Sequence, residues 1–257
     1  MTIAAPCADV DGLARALASA RGAGQRLATL APELRPATSE EAFAAQYATL
    51  RSMGCAPAGW KIGSKSHDGP IQGSPLPATC VYRGRTTLAR NAFAKPGLEL
   101  EIAFALGRRF EAGSGPYTDK AVLDAIETMH AAIEVVASRF QEWPNVDKLW
   151  QLADLQNHGA LVVGEGVAYN RDYPFASPGM HFTFSGANVV EGAPANPAGD
   201  PRRLLPWLVN HCVSRGVTVE PGAVLTCGSY TGMYFPAGAG VALGAIDGLP
   251  PVELSLA

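Results

Sequence analysis

Pro96-Gly97-Leu98-Glu99-Leu100-Glu101-Ile102-Ala103-Phe104-Ala105-Leu106-Gly107 is the stretch on which the fold reading turns. Apolar residues alternate through it between Pro-Gly and Gly boundaries, which is a strand signature. Successive side chains of a strand point to opposite faces, so Glu99 and Glu101 project together while Leu98, Leu100 and Ile102 face the other way. A third carboxylate, Glu134, stands in Ala132-Ile133-Glu134-Val135-Val136, a second apolar run with the look of a strand. A strand covered on both faces does not carry two charges on one of them without something to neutralise them. Three carboxylates with no nearby Cys or His suit a hard divalent cation, Mg2+ ahead of Mn2+ or Ca2+. The same alternation is also that of an antiparallel strand with one wet face. Spacing alone leaves both readings open.

Working outward, the first fifty or so residues are Ala-rich and helical in pattern. Asp9 to Arg21 forms one expected amphipathic helix, stopped by Gly22-Ala23-Gly24, and Thr38-Ser39-Glu40-Glu41 is a capping box opening a second helix that runs to about Met53. From Gly59 the texture changes to short apolar runs punctuated by Gly and Pro. Helices are expected at Thr118 to Met129 and from Asp200-Pro201 to Gly216. Strands are expected at Gly159 to Val163, His181 to Phe184, Val224 to Cys227, Gly240 to Ile246 and Val252 to Leu256. The expectation is an α+β fold: a mixed, curved β-sheet roll over residues 59–257, preceded by an N-terminal helical portion over residues 1–58.

Apolar residues make up 47% of the 257-residue chain and charged residues 17%, which excludes wholesale disorder. The net charge of -3 and the scattered lysines and arginines argue against a nucleic-acid partner. No apolar run has the length of a membrane span. With Asp9 and Asp11 and no continuous apolar stretch, the N-terminus is not expected to be a signal peptide, and a cytoplasmic protein is expected. Cys7, Cys55, Cys80, Cys212 and Cys227 are odd in number and lack a paired spacing; they read as buried thiols in a reducing compartment. The run Gly238-Ala239-Gly240-Val241-Ala242-Leu243-Gly244 does not fit a dinucleotide fingerprint, since a strand and not a helix is expected to follow it. His130 lies four residues before Glu134, but the expected helix-to-strand change between them spoils a pairing.

Several segments, taken in order, resemble the fumarylacetoacetate hydrolase superfamily. More narrowly, they resemble its branch of 2-oxopent-4-enoate hydratases and 2-oxohex-3-enedioate decarboxylases. They are Gly59-Trp60-Lys61-Ile62-Gly63, Glu99 to Gly107, Ala132-Ile133-Glu134-Val135-Val136-Ala137-Ser138-Arg139, Ala153-Asp154 with Gly159 to Gly164, and Gly228-Ser229 with Thr231-Gly232. The resemblance implies that Glu99, Glu101 and Glu134 hold a divalent metal, usually Mg2+, in a β-rich roll. It also implies an active-site lysine at Lys61, whose pKa is expected to fall near a metal so that it can shuttle a proton. Ser229 and Thr231 are implied substrate contacts. Lys65 is a candidate to neutralise a substrate carboxylate, and a solvated loop lysine is the other reading of it.

Two departures from the family pattern stand out. Asn157 and His158 occupy positions where relatives carry small hydroxyl residues, and both are candidate catalytic groups in their place. The Ser64 to Arg83 loop also differs from the usual stretch over the site. The implied substrate is a small 2-oxo acid and the implied assembly a homo-oligomer, with a complex with a related hydratase or decarboxylase also open. Four functions stand in order. Hydration of a 2-hydroxy-2,4-dienoate comes first and decarboxylation of a 2-oxo-3-enedioate second. Third is acylpyruvate C–C hydrolysis, with His67 and Asp68 as its local acid–base pair. A catalytically silent partner subunit comes last.

Overall fold

The computed structural model describes residues 8–257. Cys7 and the first residues of the 1–58 portion lie outside the described residues. Two helices open the chain, α1 (Val10–Gly22) and α2 (Ser39–Ser52). Asp9 caps α1 by accepting from the Gly12 N–H at 2.7 Å. Thr38 caps α2 by accepting from the Glu41 N–H at 3.2 Å, while Glu41 reaches back to the Ala37 N–H at 2.7 Å. These side chains satisfy N–H groups that a helix start leaves without partners. Leu13 and Leu17 of α1 and Ala42, Phe43 and Ala45 of α2 meet in an apolar cluster with Phe140, Leu152 and Ala153.

The remaining elements are β1 (Pro57–Gly63), β2 (Gln72–Pro77), β3 (Val81–Arg83), β4 (Thr86–Leu88), β5 (Gly97–Leu106), α3 (Asp119–Leu123), β6 (Ile126–Val136), α4 (Lys148–Ala153), β7 (His158–Ala168), β8 (Met180–Phe184), β9 (Ala187–Asn188), α5 (Leu204–Ser214), β10 (Val224–Ser229), β11 (Gly240–Ile246) and β12 (Val252–Leu256). They form a seven-stranded sheet in the order β2-β1-β10-β5-β6-β7-β3 and a five-stranded sheet in the order β4-β12-β11-β8-β9. Parallel pairs (β1 with β10, β3 with β7, β12 with β4) are mixed with antiparallel ones. The architecture is the expected α+β one, a mixed curled sheet with helices at the N-terminus.

The alternation in β5 builds the core. Leu98, Leu100, Ile102, Phe104 and Leu106 are all fully buried, in one cluster with Ile133 and Val135 of β6, Phe182 of β8 and Leu254 of β12. Each such side chain contributes roughly 1.5–3 kcal/mol relative to exposure. The other face of the large sheet carries Glu99, Glu101 and Glu134 beside a smaller buried cluster of Leu76, Ala103, Ala132, Leu161, Val163 and Val224. Burial of the core face therefore forces the carboxylates to share the opposite one.

The structure corrects four expectations. The helix expected over Thr118–Met129 is only α3, and β6 already begins at Ile126. Pairing with β5 continues as far as Leu106 with Ile126, so the ladder captures residues whose apolar spacing also fits a helix. His130 is consequently on a strand, its Nδ1 3.0 Å from the Gly164 carbonyl oxygen and its Nε2 2.9 Å from Thr128 Oγ1, outside the carboxylate cluster. The Ser64–Arg83 segment is not all loop, since it includes β2 and β3. Cys212 and Cys227 are buried, but Cys55 and Cys80 are half-buried. Among the described residues, no helix is long and apolar enough to cross a membrane.

Close approach of backbones fixes one glycine. Gly59 pairs with Val224 across the parallel β1–β10 ladder, and a Cβ at Gly59 would stand 2.1 Å from the Val224 carbonyl oxygen. A backbone atom in a sheet interior cannot move aside as a side chain can. Gly59→Ala should therefore destabilise the protein by about 1–3 kcal/mol, lowering the thermal midpoint by roughly 2–4 °C per kcal/mol. A melt matching that of the unsubstituted protein would contradict this packing.

Candidate metal centre and active-site cavity

Register places the three glutamates together. Glu99 on β5 stands directly opposite Glu134 on β6, and Glu101 follows on the same face. One carboxylate oxygen from each lies within 4.8 Å of the others. They line one cavity of about 620 Å³, with Lys61, Lys65, Lys148, Gln151, Gln156, Asn157 and Ser229 also on its wall.

Each glutamate is held differently. Glu134, fully buried, accepts from Lys61 Nζ at 2.7 Å, and His158 Nδ1 lies 2.9 Å from the same Oε1, while Oε2 has no partner. Burial raises its pKa, but Lys61 and His158 outweigh burial and hold Glu134 below the usual carboxylate range. Glu101 accepts from the Thr226 hydroxyl and, at 3.1 Å, from the Gly228 N–H. That N–H is available because β10 bulges: Thr226 pairs with Ala103, yet Ser229 pairs with Glu101, leaving one extra residue in β10. Gly228 sits in the bulge at φ 85°, a left-handed conformation suited to glycine. Asn196 Nδ2 donates to the Cys227 carbonyl at 2.8 Å and pins it.

Electrostatically, the cluster lacks positive charge. Burial, with repulsion from Glu101 and Glu134, pushes Glu99 up to about 8. Burial and Glu134 push Glu101 to about 7 against the opposing pull of Lys61. A set of oxygen-only donors, one with an orphaned buried oxygen, fits a hard divalent cation. Lys61 differs from expectation. Burial lowers its pKa, but Glu134, Glu99 and Glu101 together outweigh burial and raise it above the ordinary value.

The other candidates divide. Asn157 is buried on the cavity wall, and Lys65 and Ser229 are also on it. His158 is not on the wall; it is fully buried behind Glu134, and desolvation drops its pKa to about 4. A neutral imidazole donating from Nδ1 therefore orients Glu134. Thr231 is also off the wall, its Oγ1 accepting from the Leu100 N–H at 3.4 Å. His67 and Asp68 pair with each other at 2.9 Å on the surface, outside the wall.

Residues that sequence reasoning missed lie mostly between Lys148 and Gln156. Leu155, Gln156 and Asn157 are three consecutive non-glycine residues with positive φ, at 50°, 52° and 59°. Such backbone persists only where its surroundings over-determine it. Here the preceding Asp154 accepts from Arg139 Nε at 2.7 Å and from the Arg139 N–H at 2.9 Å, with Arg21 4.0 Å away. Arg21, reaching in from the end of α1, also donates to the His158 carbonyl at 2.8 Å. The turn aims the Gln156 carbonyl at Lys61 Nζ, 3.4 Å away. A run of consecutive left-handed residues without glycine has no sequence signal.

Two predictions follow from this geometry. Glu99 and Glu101 have folded-state values above the ordinary carboxylate range, so the folded protein binds protons that the unfolded chain releases. Their contribution to stability is complete below the unfolded value and is lost as pH rises through about 7 and 8. A divalent cation needs the same groups deprotonated. The gap in thermal midpoint between Mg2+-saturated and chelator-treated protein should thus widen from pH 6.5 to pH 8; a constant gap would contradict the cluster's electrostatics. Separately, Asp154→Ala strands the buried charges of Arg139 and Arg21 and should cost about 3–5 kcal/mol in denaturant unfolding.

Comparison with known proteins agrees with the geometry. The family model for the fumarylacetoacetate (FAA) hydrolase C-terminal domain matches residues 64–251. The chain is 27% identical over 176 residues to a 2-keto-4-pentenoate hydratase of Burkholderia vietnamiensis (strain G4 / LMG 22486), covering 68% of this chain and 66% of the relative. It is 28% identical over 143 residues to a 4-oxalocrotonate decarboxylase of a Pseudomonas species, covering 54% and 52%. The matched stretches thus span between about half and two thirds of these relatives. Its fold superimposes on the 4-oxalocrotonate decarboxylase of Pseudomonas putida G7 solved with magnesium and adipate, with a TM-score of 0.83 and 19% identity over 96% of this chain and 97% of that one. With the family model matching residues 64–251, the chain belongs to the fumarylacetoacetate hydrolase C-terminal family.

Proposed function

We propose that this chain is a divalent-metal-dependent lyase that adds water to a 2-hydroxy-2,4-dienoate, giving a 4-hydroxy-2-oxo acid. The observation that carries the reading is the cluster of Glu99, Glu101 and Glu134 with Lys61 bonded to one of its oxygens, on the wall of a cavity sized for a small acid. Relatives named as 2-keto-4-pentenoate hydratases support it. The three glutamates would hold Mg2+, whose Lewis acidity suits the carboxylate and keto oxygens of a 2-oxo acid.

The chain's own groups account for the proton movements. Lys61 Nζ is an ammonium with three hydrogens, of which Glu134 Oε1 and the Gln156 carbonyl take two. The third is free for the substrate. Lys61 would begin as the proton donor and supply the distal carbon, C5, then take up the proton that the 2-hydroxyl gives up. The resulting enone is electrophilic at C4, where water adds, and C3 takes the last proton. His158 keeps Glu134 oriented during these transfers without touching the substrate.

A second reading is decarboxylation of a 2-oxo-3-enedioate. Lys65 and Lys148 favour it, since both are on the cavity wall and neither is paired with an acid among the described residues. A relative named as a 4-oxalocrotonate decarboxylase also supports it. A second carboxylate would need such an anchor.

The test is ultraviolet-monitored turnover of freshly generated 2-hydroxypenta-2,4-dienoate with Mg2+, with EDTA, and with Glu101→Ala. Metal-dependent formation of 4-hydroxy-2-oxopentanoate, abolished in the variant, is the expected result. CO2 release from 2-oxohex-3-enedioate without dienoate turnover would favour the second reading instead.

A further inference from the structure

We propose that Asn196 is a positioning residue for the carboxylate cluster: by holding the Cys227–Gly228 peptide it commits one oxygen of Glu101 to the protein, leaves the other for a cation, and so shifts the site toward Mg2+ over Ca2+. The proposal rests on the metal-dependent reading above and assigns it a residue that selects the metal. Both bonds that Glu101 accepts end on Oε2, one from the Thr226 hydroxyl and one, at 3.1 Å, from the Gly228 N–H. Glu101 Oε1 accepts none among the described residues, although Glu101 is buried and lines the cavity. The Gly228 N–H reaches Oε2 only while the peptide that carries it faces the right way.

The strand ladders do not decide that orientation. Pairing of β10 with β1 ends at Thr226 and Lys61, and pairing with β5 passes from Thr226 to Ser229, so both ladders skip Cys227 and Gly228. Gly228 sits at φ 85°, where a glycine meets no steric penalty and has no strong torsional preference to hold it. Asn196 supplies what the ladders lack. Its Nδ2 donates to the Cys227 carbonyl at 2.8 Å and to the Gly228 carbonyl at 3.4 Å, which uses both of its hydrogens. The Cys227 carbonyl and the Gly228 N–H belong to one planar unit. A donor fixed behind the carbonyl therefore turns the N–H toward Glu101.

Asn196 is itself held on every side. Its Oδ1 accepts from the Ala198 N–H at 2.9 Å, which sets which end of the amide faces β10. Its backbone N–H donates to the Ala176 carbonyl at 2.9 Å, and its carbonyl accepts from the Gly199 N–H at 2.9 Å. A buried amide with all of its polar atoms satisfied is a rigid support. Partners of this kind orient a ligating carboxylate and tune its hold on a metal. The two cations differ in what they ask of it. Mg2+ is small and demands a near-octahedral set of oxygens, whereas Ca2+ takes a larger and looser set that often includes both oxygens of one carboxylate. With Oε2 held back, Glu101 offers one oxygen, which suits Mg2+ and denies Ca2+ its second.

The experiment is calorimetric titration of chelator-treated protein with Mg2+ and, separately, with Ca2+, for the unsubstituted chain, Asn196→Ala and Asn196→Asp. Mg2+ should bind about tenfold more weakly to Asn196→Ala, the lower end of the loss expected when the partner of a ligating carboxylate is removed. Ca2+ should lose less, so the ratio of the two affinities moves toward Ca2+. Asn196→Asp keeps an acceptor for the Ala198 N–H while losing both donors, so it preserves the loop should Asn196→Ala fail to fold. Its added charge attracts both cations alike, and the same movement of the ratio is expected. NMR of glycine-labelled, metal-free protein gives a second readout: the Gly228 amide proton, bonded to a carboxylate in the unsubstituted chain, should shift upfield in both variants. A merely structural role would weaken both cations together. An unchanged ratio, or an unshifted Gly228 resonance, overturns the proposal alone. Absence of binding of either cation by the unsubstituted chain would overturn the metal-dependent reading and this proposal with it.

Discussion

Three carboxylates crowded on one buried face of the β5–β6 ladder are the constraint around which the rest of the site is organised. Cross-strand partners stand about 5 Å apart, where two like charges repel by roughly 3 kcal/mol at an effective dielectric of 20. Glu99 and Glu134 occupy such a pair of positions. The sheet order answers this by placing β10 and then β1 next to β5, which brings the Thr226 hydroxyl, the Gly228 N–H and Lys61 to the carboxylates. Even so, the protein's donors are unevenly shared. Glu134 is held ionised by Lys61 and His158, whereas Glu99 and Glu101 are pushed toward their protonated forms. That imbalance is what a divalent cation would relieve.

A long side chain at the end of the first helix reaches this centre. Arg21 leaves the end of α1, meets Asp154 and grips the His158 carbonyl, so the first helix braces the turn that carries Gln156 and Asn157. Burial and the neighbouring Arg139 push Arg21 down to about 10, with Asp154 opposing. A buried and a partly buried arginine around one buried aspartate form a network that is costly to break. It fixes a backbone conformation that these residues would not choose by themselves. In the same segment α4 supplies Gln151 and Lys148 to the cavity wall, so local strain, apolar packing and the polar lining all meet over a few residues.

Lys61 shows how a local rule can be outvoted. Desolvation by itself lowers the pKa of a lysine, and that rule motivates an expected fall. Three carboxylates around one ammonium reverse the sign. His158 shows the complementary case: it touches a carboxylate yet remains neutral near pH 7, because it is fully buried and Lys61 and Arg21 add like charge nearby.

By itself the sequence determined the strands whose faces differ in polarity. The β5 alternation, the β11 span of Gly240–Ile246, the β12 span of Val252–Leu256 and the cap Thr38 were all legible, because each depends on side chains a few residues apart. The shared face of Glu99 and Glu101 was legible for the same reason. Other features depended on partners far along the chain. Where β6 begins, that Glu134 faces Glu99, that β10 bulges to free the Gly228 N–H and that His158 stands behind Glu134 rather than on the cavity wall were decided by ladder register and by burial. So was the turn at Leu155–Asn157, which the Arg21–Asp154–Arg139 clamp braces. Periodicity assigns a residue to a face; only the packed structure decides what that face meets, and the energies of buried charges depend on that meeting.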